Sequence, residues 1–212
     1  MRPPVITVDG PGGTGKGVLC ERLAHWLDWN LLDSGALYRL LAAVSLDRRI
    51  DRKADGAEES LARLANELDP VFRHASKGGE LQVWLAEQDW TPDVRTEACA
   101  AAASEIAAFP KVRTALLGRQ RAFLVAPGLI ADGRDMGTVV FPAADLKIYL
   151  TADPAARAVR RHKQLKQKGI TARLARLSED IRLRDDRDRQ RQESPMKPAS
   201  DAEIVDTTGL PN

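Results

Sequence analysis

Val5-Ile6-Thr7-Val8-Asp9-Gly10-Pro11-Gly12-Gly13-Thr14-Gly15-Lys16-Gly17 joins a β-branched run to a lysine through four glycines. Val5 to Val8 predicts a short strand closed by Asp9-Gly10. From about Lys16 the apolar residues Leu19, Leu23, Trp26 and Leu27 fall on one helical face. A glycine-rich bend between a strand and a helix lets backbone N–H groups curl inward, and the helix N-terminus adds positive potential. The expected product is a phosphate cradle. The spacing G-x-x-x-x-G-K over Gly10, Pro11, Gly12, Gly13, Thr14, Gly15 and Lys16 matches the P-loop, whose lysine reaches the β and γ phosphates. The same residues also spell G-x-G-x-x-G, with Asp33 following where a dinucleotide-binding fold places its ribose acid. Lys16, which that fold does not require, favours the P-loop.

Moving outward, Trp29 to Leu32 is a second apolar run ending at Asp33. Ser34 can cap a helix with the stripe Leu37, Leu40, Leu41 and Val44. Strand-helix alternation predicts an α/β fold with a parallel sheet flanked by helices. The pattern then breaks. A helix with Leu61, Leu64, Ala65 and Leu68 precedes Val71 to His74, a Ser76-Lys77-Gly78-Gly79 turn and Glu80 to Leu85, which together predict a small antiparallel hairpin and an inserted subdomain. Two helices split at Phe109-Pro110, because proline starts a helix better than it continues one. Gly128 to Ala131 running into Asp132, Leu146 to Leu150, and Glu203 to Val205 predict three further strands, making five in one sheet. Asp153-Pro154 starts a helix that Gly169 ends, and another covers about 172–191.

The 212 residues, 43% hydrophobic and 29% charged, suffice for a sizeable core in one domain. Two cysteines, Cys20 and Cys99, and three histidines exclude a disulfide framework and a zinc cluster. Asp9 interrupts the N-terminal apolar run before a signal-peptide core can form, and no apolar stretch approaches the ~20 residues of a membrane span. A soluble cytoplasmic protein without membrane contact, and a monomer, is expected. The net charge of +2 hides an asymmetry: residues 157–191 carry +8 and the rest −6. A polyanionic ligand accounts for that segment, as does a pair of solvated helices. Nucleic acid is set aside because no Phe, Tyr or Trp occurs between Arg157 and Arg191.

P-loops usually place Ser or Thr after the lysine to hold Mg²⁺, but Gly17 and Val18 stand there. The expected Mg²⁺ is therefore held by water, phosphate oxygens and a nearby carboxylate, for which Asp132 at a strand end is the candidate. Asp132-Gly133-Arg134-Asp135 sets two acids and an arginine at the carboxyl end of a strand, where open α/β sheets bind ligands. Arg184, Asp188 and Arg191 share one face of the basic helix, although an exposed salt-bridged helix would show the same mixture.

Together these segments resemble the bacterial cytidylate (CMP) kinases, of the nucleoside monophosphate kinase family. The resemblance is carried by residues 6–17, Leu31-Leu32-Asp33-Ser34-Gly35-Ala36-Leu37-Tyr38-Arg39, Val112-Arg113, Ile130 to Val140 (IADGRDMGTVV) and Arg184-Asp185-Asp186-Arg187-Asp188-Arg189, and it spans nearly the whole chain. It implies a P-loop NTPase fold over residues 1–212: a core (1–55, 110–156 and 170–212), an NMP-binding insertion (about 56–109) and a lid (about 157–169). It implies ATP-dependent phosphorylation of CMP and dCMP, with Mg²⁺ as cofactor. By motif, Gly10 to Val18 and the lid arginines Arg157, Arg160 and Arg161 would hold ATP. Ser34 and Asp135 would bind the CMP ribose, Arg39, Arg134 and Arg184 its phosphate, and Ser104, Arg113, Asp188 and Arg191 the cytosine edge. Tyr38 would line the same site. Lys16, Arg134, Arg184 and Asp132 would act in transfer.

Two departures stand out: Val18 occupies a position where the family carries Thr or Ser, and the family's helix after the last strand has no counterpart in the few residues beyond Asp206-Thr207-Thr208. The rivals are a P-loop kinase for another phosphorylated acceptor and a dinucleotide-dependent dehydrogenase. A GTPase is disfavoured because no Asn-Lys-x-Asp motif occurs.

Overall fold

The computed structural model describes residues 2–74, 81–167, 169–191 and 193–210. The predicted turn at 76–79 lies outside the described residues. Packing divides the chain into two compact units, Met1–Asp33 with Arg121–Asn212, and Ser34–Gln120.

The first unit is built on a five-stranded sheet in the order β2-β6-β1-β7-β8. Its strands are β1 (Val5–Asp9), β2 (Asn30–Asp33), β6 (Leu129–Asp132), β7 (Leu146–Thr151) and β8 (Glu203–Asp206), and every pairing is parallel. The register sets Val8 beside Asp132 and Ile148, and Asp33 beside Asp132, so the carboxyl ends of the three central strands and β2 fall in line. That is the side on which parallel sheets bind ligands. Helix α1 (Lys16–Leu27) packs Cys20 and Ala24 onto Val8, Leu31, Ile130 and Leu150. Helices α6 (Pro154–Gln167) and α7 (Leu174–Gln190) pack against each other. β1, β2 and β6, rich in Val, Ile and Leu, are largely buried, as expected for strands of a parallel sheet, whereas β8 at its edge is exposed.

The second unit is helical with a three-stranded antiparallel sheet β3 (Pro70–His74), β4 (Leu81–Leu85) and β5 (Gln88–Asp89). It includes α2 (Ser34–Asp47), α3 (Ala57–Glu67), α4 (Glu97–Ile106) and the first part of α5 (Pro110–Ala122). The predicted hairpin pairs Pro70 with Leu85 through His74 with Leu81. This unit is wider than the 56–109 insertion expected from the sequence. The reason is packing: α2 buries Leu40, Leu41 and Ala42 completely, in one apolar cluster with Leu61 of α3, Ala102 and Ile106 of α4, and Val112 and Leu116 of α5. A helix buried almost all round belongs to whatever surrounds it, and the stripe Leu37, Leu40, Leu41, Val44 captured only part of that burial.

Candidate active site

The phosphate loop is shaped by sterics at its root. A Cβ on Gly10, at φ +134°, would come within 2.0 Å of the Leu150 carbonyl oxygen, so only glycine lets the chain leave β1 here. Gly13, at φ +80°, lies against the Arg157 side chain. Within the loop the Thr14 hydroxyl and the Lys16 ammonium both donate to the Pro11 carbonyl, at 3.0 and 2.9 Å.

Lys16 is buried. Desolvation, reinforced by the nearby Arg134 cation, pushes its ammonium down from 10.5 to about 8, against the opposing pull of Asp132, Cys20 and Asp9. A group in that state is half neutral near pH 8, and a bound polyphosphate restores its charge. Binding of ATP at pH 8 is therefore expected to take up about half a proton, with the uptake fading below about pH 7. Titration calorimetry in two buffers of different ionisation enthalpy measures this, and identical heats in both would rule it out.

Asp132 closes β6, and its Oδ2 lies 4.0 Å from where a Cβ on Gly17 would stand. The bare Gly17 thus leaves the carboxylate facing the loop, and Val18 is an exposed apolar residue beside it. Among the described residues no three His, Cys, Asp or Glu side chains cluster as metal ligands. One carboxylate beside a phosphate cradle suits Mg²⁺, which keeps several waters and takes substrate phosphates as ligands.

Arg134 brings its guanidinium to within 3.6 Å of a Cβ position on Gly12, so this arginine abuts the loop. Its Nε donates to Asp188 at 3.3 Å, and Asp188 in turn pairs with Arg191. Asp135 is buried next to Arg134, while Arg184 sits half-buried on α7 one turn before Asp188. The structure thereby gathers Lys16, Asp132, Arg134, Asp135, Asp188 and Arg191 in the first unit.

The three arginines expected to hold ATP are all engaged with other groups of the protein. Arg157, 1% exposed, does not stand free over the loop. It forms a buried ion pair with Asp185 of α7 and donates to the carbonyls of Ala152 and Gly12, at 3.1 Å each. From the first turn of α6 it reaches Asp185 of α7 and the Gly12 carbonyl of the loop. Arg160 is likewise engaged, donating to carbonyls at Thr207 and Leu210 and, at 3.4 Å, to Gly13. Arg161 is half-buried and reaches Gln164 at 3.4 Å.

In the second unit, Ser34 opens α2, is buried, and donates to Gln120 Oε1 at 2.9 Å. Arg113 stacks over the Tyr38 ring, 5.9 Å from its centroid, and donates to the Ala107 carbonyl. The Arg39 carbonyl accepts from the Cys99 thiol, and Ser104 is buried on α4.

Sequence reasoning missed three residues that support this constellation. Asp185 pairs with Arg157, Thr207 donates from its hydroxyl to the Thr14 carbonyl at 3.0 Å, and Asp9 accepts from the N–H groups of Met136 and Gly137. The partners lie 28, 193, 127 and 128 residues away in sequence. Asp9 and Asp185 both lie inside motifs the sequence shows, but nothing local to either names its partner.

The chain is similar to known proteins over almost its whole length. A family model described as Cytidylate kinase matches residues 6–211. Proteins named cytidylate kinase from Shewanella baltica, 52% identical over 98% of this chain and 89% of theirs, and from Pectobacterium carotovorum, 53% identical over 98% and 90%, are among its relatives. Among the described residues no helix is long and apolar enough to cross a membrane.

Proposed function

We infer the division of labour in the site from one premise: the chain belongs to the cytidylate kinase family, an enzyme that phosphorylates CMP with ATP. The acceptor oxygen belongs to a phosphate that is already ionised at neutral pH, so no strong general base is needed. Catalysis reduces to aligning two polyanions and offsetting their charge. Phosphate groups ~4 Å apart repel by several kcal/mol at an effective dielectric near 20. Cations must offset this, which explains the arginines.

The loop N–H groups and Lys16 hold the ATP phosphates. Arg134, at the edge of that loop, bridges toward the CMP phosphate, together with Arg184 and Arg39. Asp135 and Ser34 bind the ribose. Ser104, Arg113, Asp188 and Arg191 read the cytosine, with Tyr38 alongside. Arg160 and Arg161 border the donor side, and Arg157 holds the loop from behind. Asp132 would hold Mg²⁺ together with phosphate oxygens, and the ion would supply charge neutralisation at the transferred group. The acceptor range extends to dCMP, the ligands are small molecules rather than nucleic acid or membrane, and the working form is a cytoplasmic monomer.

The observation that supports this reading is the approach of the Arg134 guanidinium to Gly12 of the phosphate loop, where a cation can serve both phosphates. A coupled ADP-release assay with ATP, Mg²⁺ and CMP, dCMP, UMP, AMP, GMP or shikimate tests it. Turnover concentrated on CMP and dCMP is expected; turnover on shikimate or AMP instead would overturn the assignment of residues. In the same assay Arg39→Ala is expected to weaken CMP use by about 2 kcal/mol, roughly thirtyfold in kcat/KM, as for the loss of a charge-assisted phosphate contact. An unchanged kcat/KM would remove Arg39 from the site.

A further inference from the structure

Asp9 is the last residue of β1 and immediately precedes the phosphate loop. It is 4% exposed, and its two carboxylate oxygens are both used: Oδ1 accepts from Met136 N–H and Oδ2 from Gly137 N–H, each at 2.8 Å. Those donors open a single π turn, Met136–Val140, which follows directly on Arg134 and Asp135. The turn winds about Asp135, whose carbonyl accepts from the N–H groups of Val139 and Val140 at 2.9 and 3.2 Å. Gly137 lies so close to β1 that a Cβ there would stand 2.9 Å from the Thr7 hydroxyl. β-ladder bonding ties β1 to the following segment only as far as Gly133, whose N–H donates to Val8. Beyond that point the Asp9 carboxylate carries the tie.

We propose that Asp9 is a positioning residue for phosphoryl transfer, setting the register between the phosphate loop and the Arg134–Asp135 segment. The proposal rests on the reading of Arg134 and Asp135 as acceptor-binding groups. The two N–H donors are set apart so that each meets its own carboxylate oxygen. Asparagine supplies one acceptor and turns an NH₂ group against the second donor. Burial makes the anion costly: it pushes the Asp9 carboxyl up to about 6, against the downward pull of the Gly137 and Met136 N–H groups and the Lys16 cation. A hydrophobic side chain would avoid that cost but would leave two backbone donors unsatisfied. Small displacements at a reacting centre lower the rate far more than they lower binding, so an alignment residue reveals itself in kcat.

The test compares Asp9→Asn, Gly137→Ala and Arg134→Ala in the full chain, reading kcat, KM for CMP, and the Kd of ATP by calorimetry. Gly137→Ala pushes the same turn off β1 from the other side, so it carries the test should Asp9→Asn not fold. Each of these two variants is expected to lose about tenfold or more in kcat while ATP affinity stays within about threefold, and the double variant to lose less than the product of the two. A kcat within about twofold of the parent in a folded Asp9→Asn or Gly137→Ala protein overturns the proposal, as does a loss of ATP affinity that matches the loss of kcat. Arg134→Ala separates the two layers. If it leaves CMP turnover intact, the acceptor reading itself fails; if it abolishes turnover while the other variants are silent, only the role of Asp9 falls.

Discussion

Lys16→Ala is expected to lower kcat by at least ~10²-fold while CMP affinity changes less than about threefold, because in the proposed division of labour the lost cation serves the transferred group rather than the acceptor nucleoside. The ammonium lies at the centre of the loop, buried, with Asp132 and Asp9 in its field and Arg134 as a neighbouring cation. No other lysine stands within the loop to replace it, and Thr14 shares only its carbonyl partner at Pro11. A cation held in a desolvated cradle acts on charge that develops in transfer at little reorganisation cost, which is why its removal appears in turnover. Steady-state kinetics with CMP varied at saturating ATP, alongside CMP binding by calorimetry, checks the prediction. A variant that retains more than half its turnover would refute the phosphate-loop role of Lys16.

Asp185→Ala should cost the largest amount of stability, about 3–5 kcal/mol, because it strands the Arg157 guanidinium in the interior. Arg157 is 1% exposed and its Asp185 partner is 4% exposed, so water cannot take the place of the lost carboxylate. The two remaining acceptors, the carbonyls of Ala152 and Gly12, satisfy N–H groups but do not neutralise the charge. A fall in Tm of roughly 10 °C follows from that loss for a chain of this size. Arg157→Met combined with Asp185→Ala should recover much of the difference, since the uncompensated charge is then gone. Thermal unfolding of the two single variants and the double variant decides it: equal losses in Asp185→Ala and in the double variant would mean that the pair contributes shape rather than charge balance.

Local sequence carried the sheet and the loop further than it carried the supports behind them. Val5–Asp9, Asn30–Asp33, Leu129–Asp132, Leu146–Thr151 and Glu203–Asp206 all coincide with predicted strands to within two residues, because an apolar run between turn residues is a local signal. The helices split at Pro110 and started at Pro154 for the same reason. The boundary of the second unit was not legible, because α2 reads as one amphipathic stripe and only its neighbours show that its other faces are covered too. Arg157 illustrates the limit most clearly. Its sequence neighbourhood, an arginine beside Arg160 and Arg161 at the start of a basic helix, is what a surface lid would show. Its burial depends on Asp185, which sits in an Arg-Asp alternation that looks equally solvated.

By itself the sequence determined the phosphate loop, the order of strands and helices, and the family, since each of these depends on residue type at short spacing. Tertiary structure alone decided which charges are buried and what they hold: Arg157 on Asp185 behind the loop, Thr207 on Thr14, and Asp9 on the turn after Asp135. These contacts join strands and helices far apart in the chain. They exist because parallel strand pairing brings the carboxyl ends of β1, β6 and β7 side by side, and a buried polar group there must find its partner among whatever that pairing delivers.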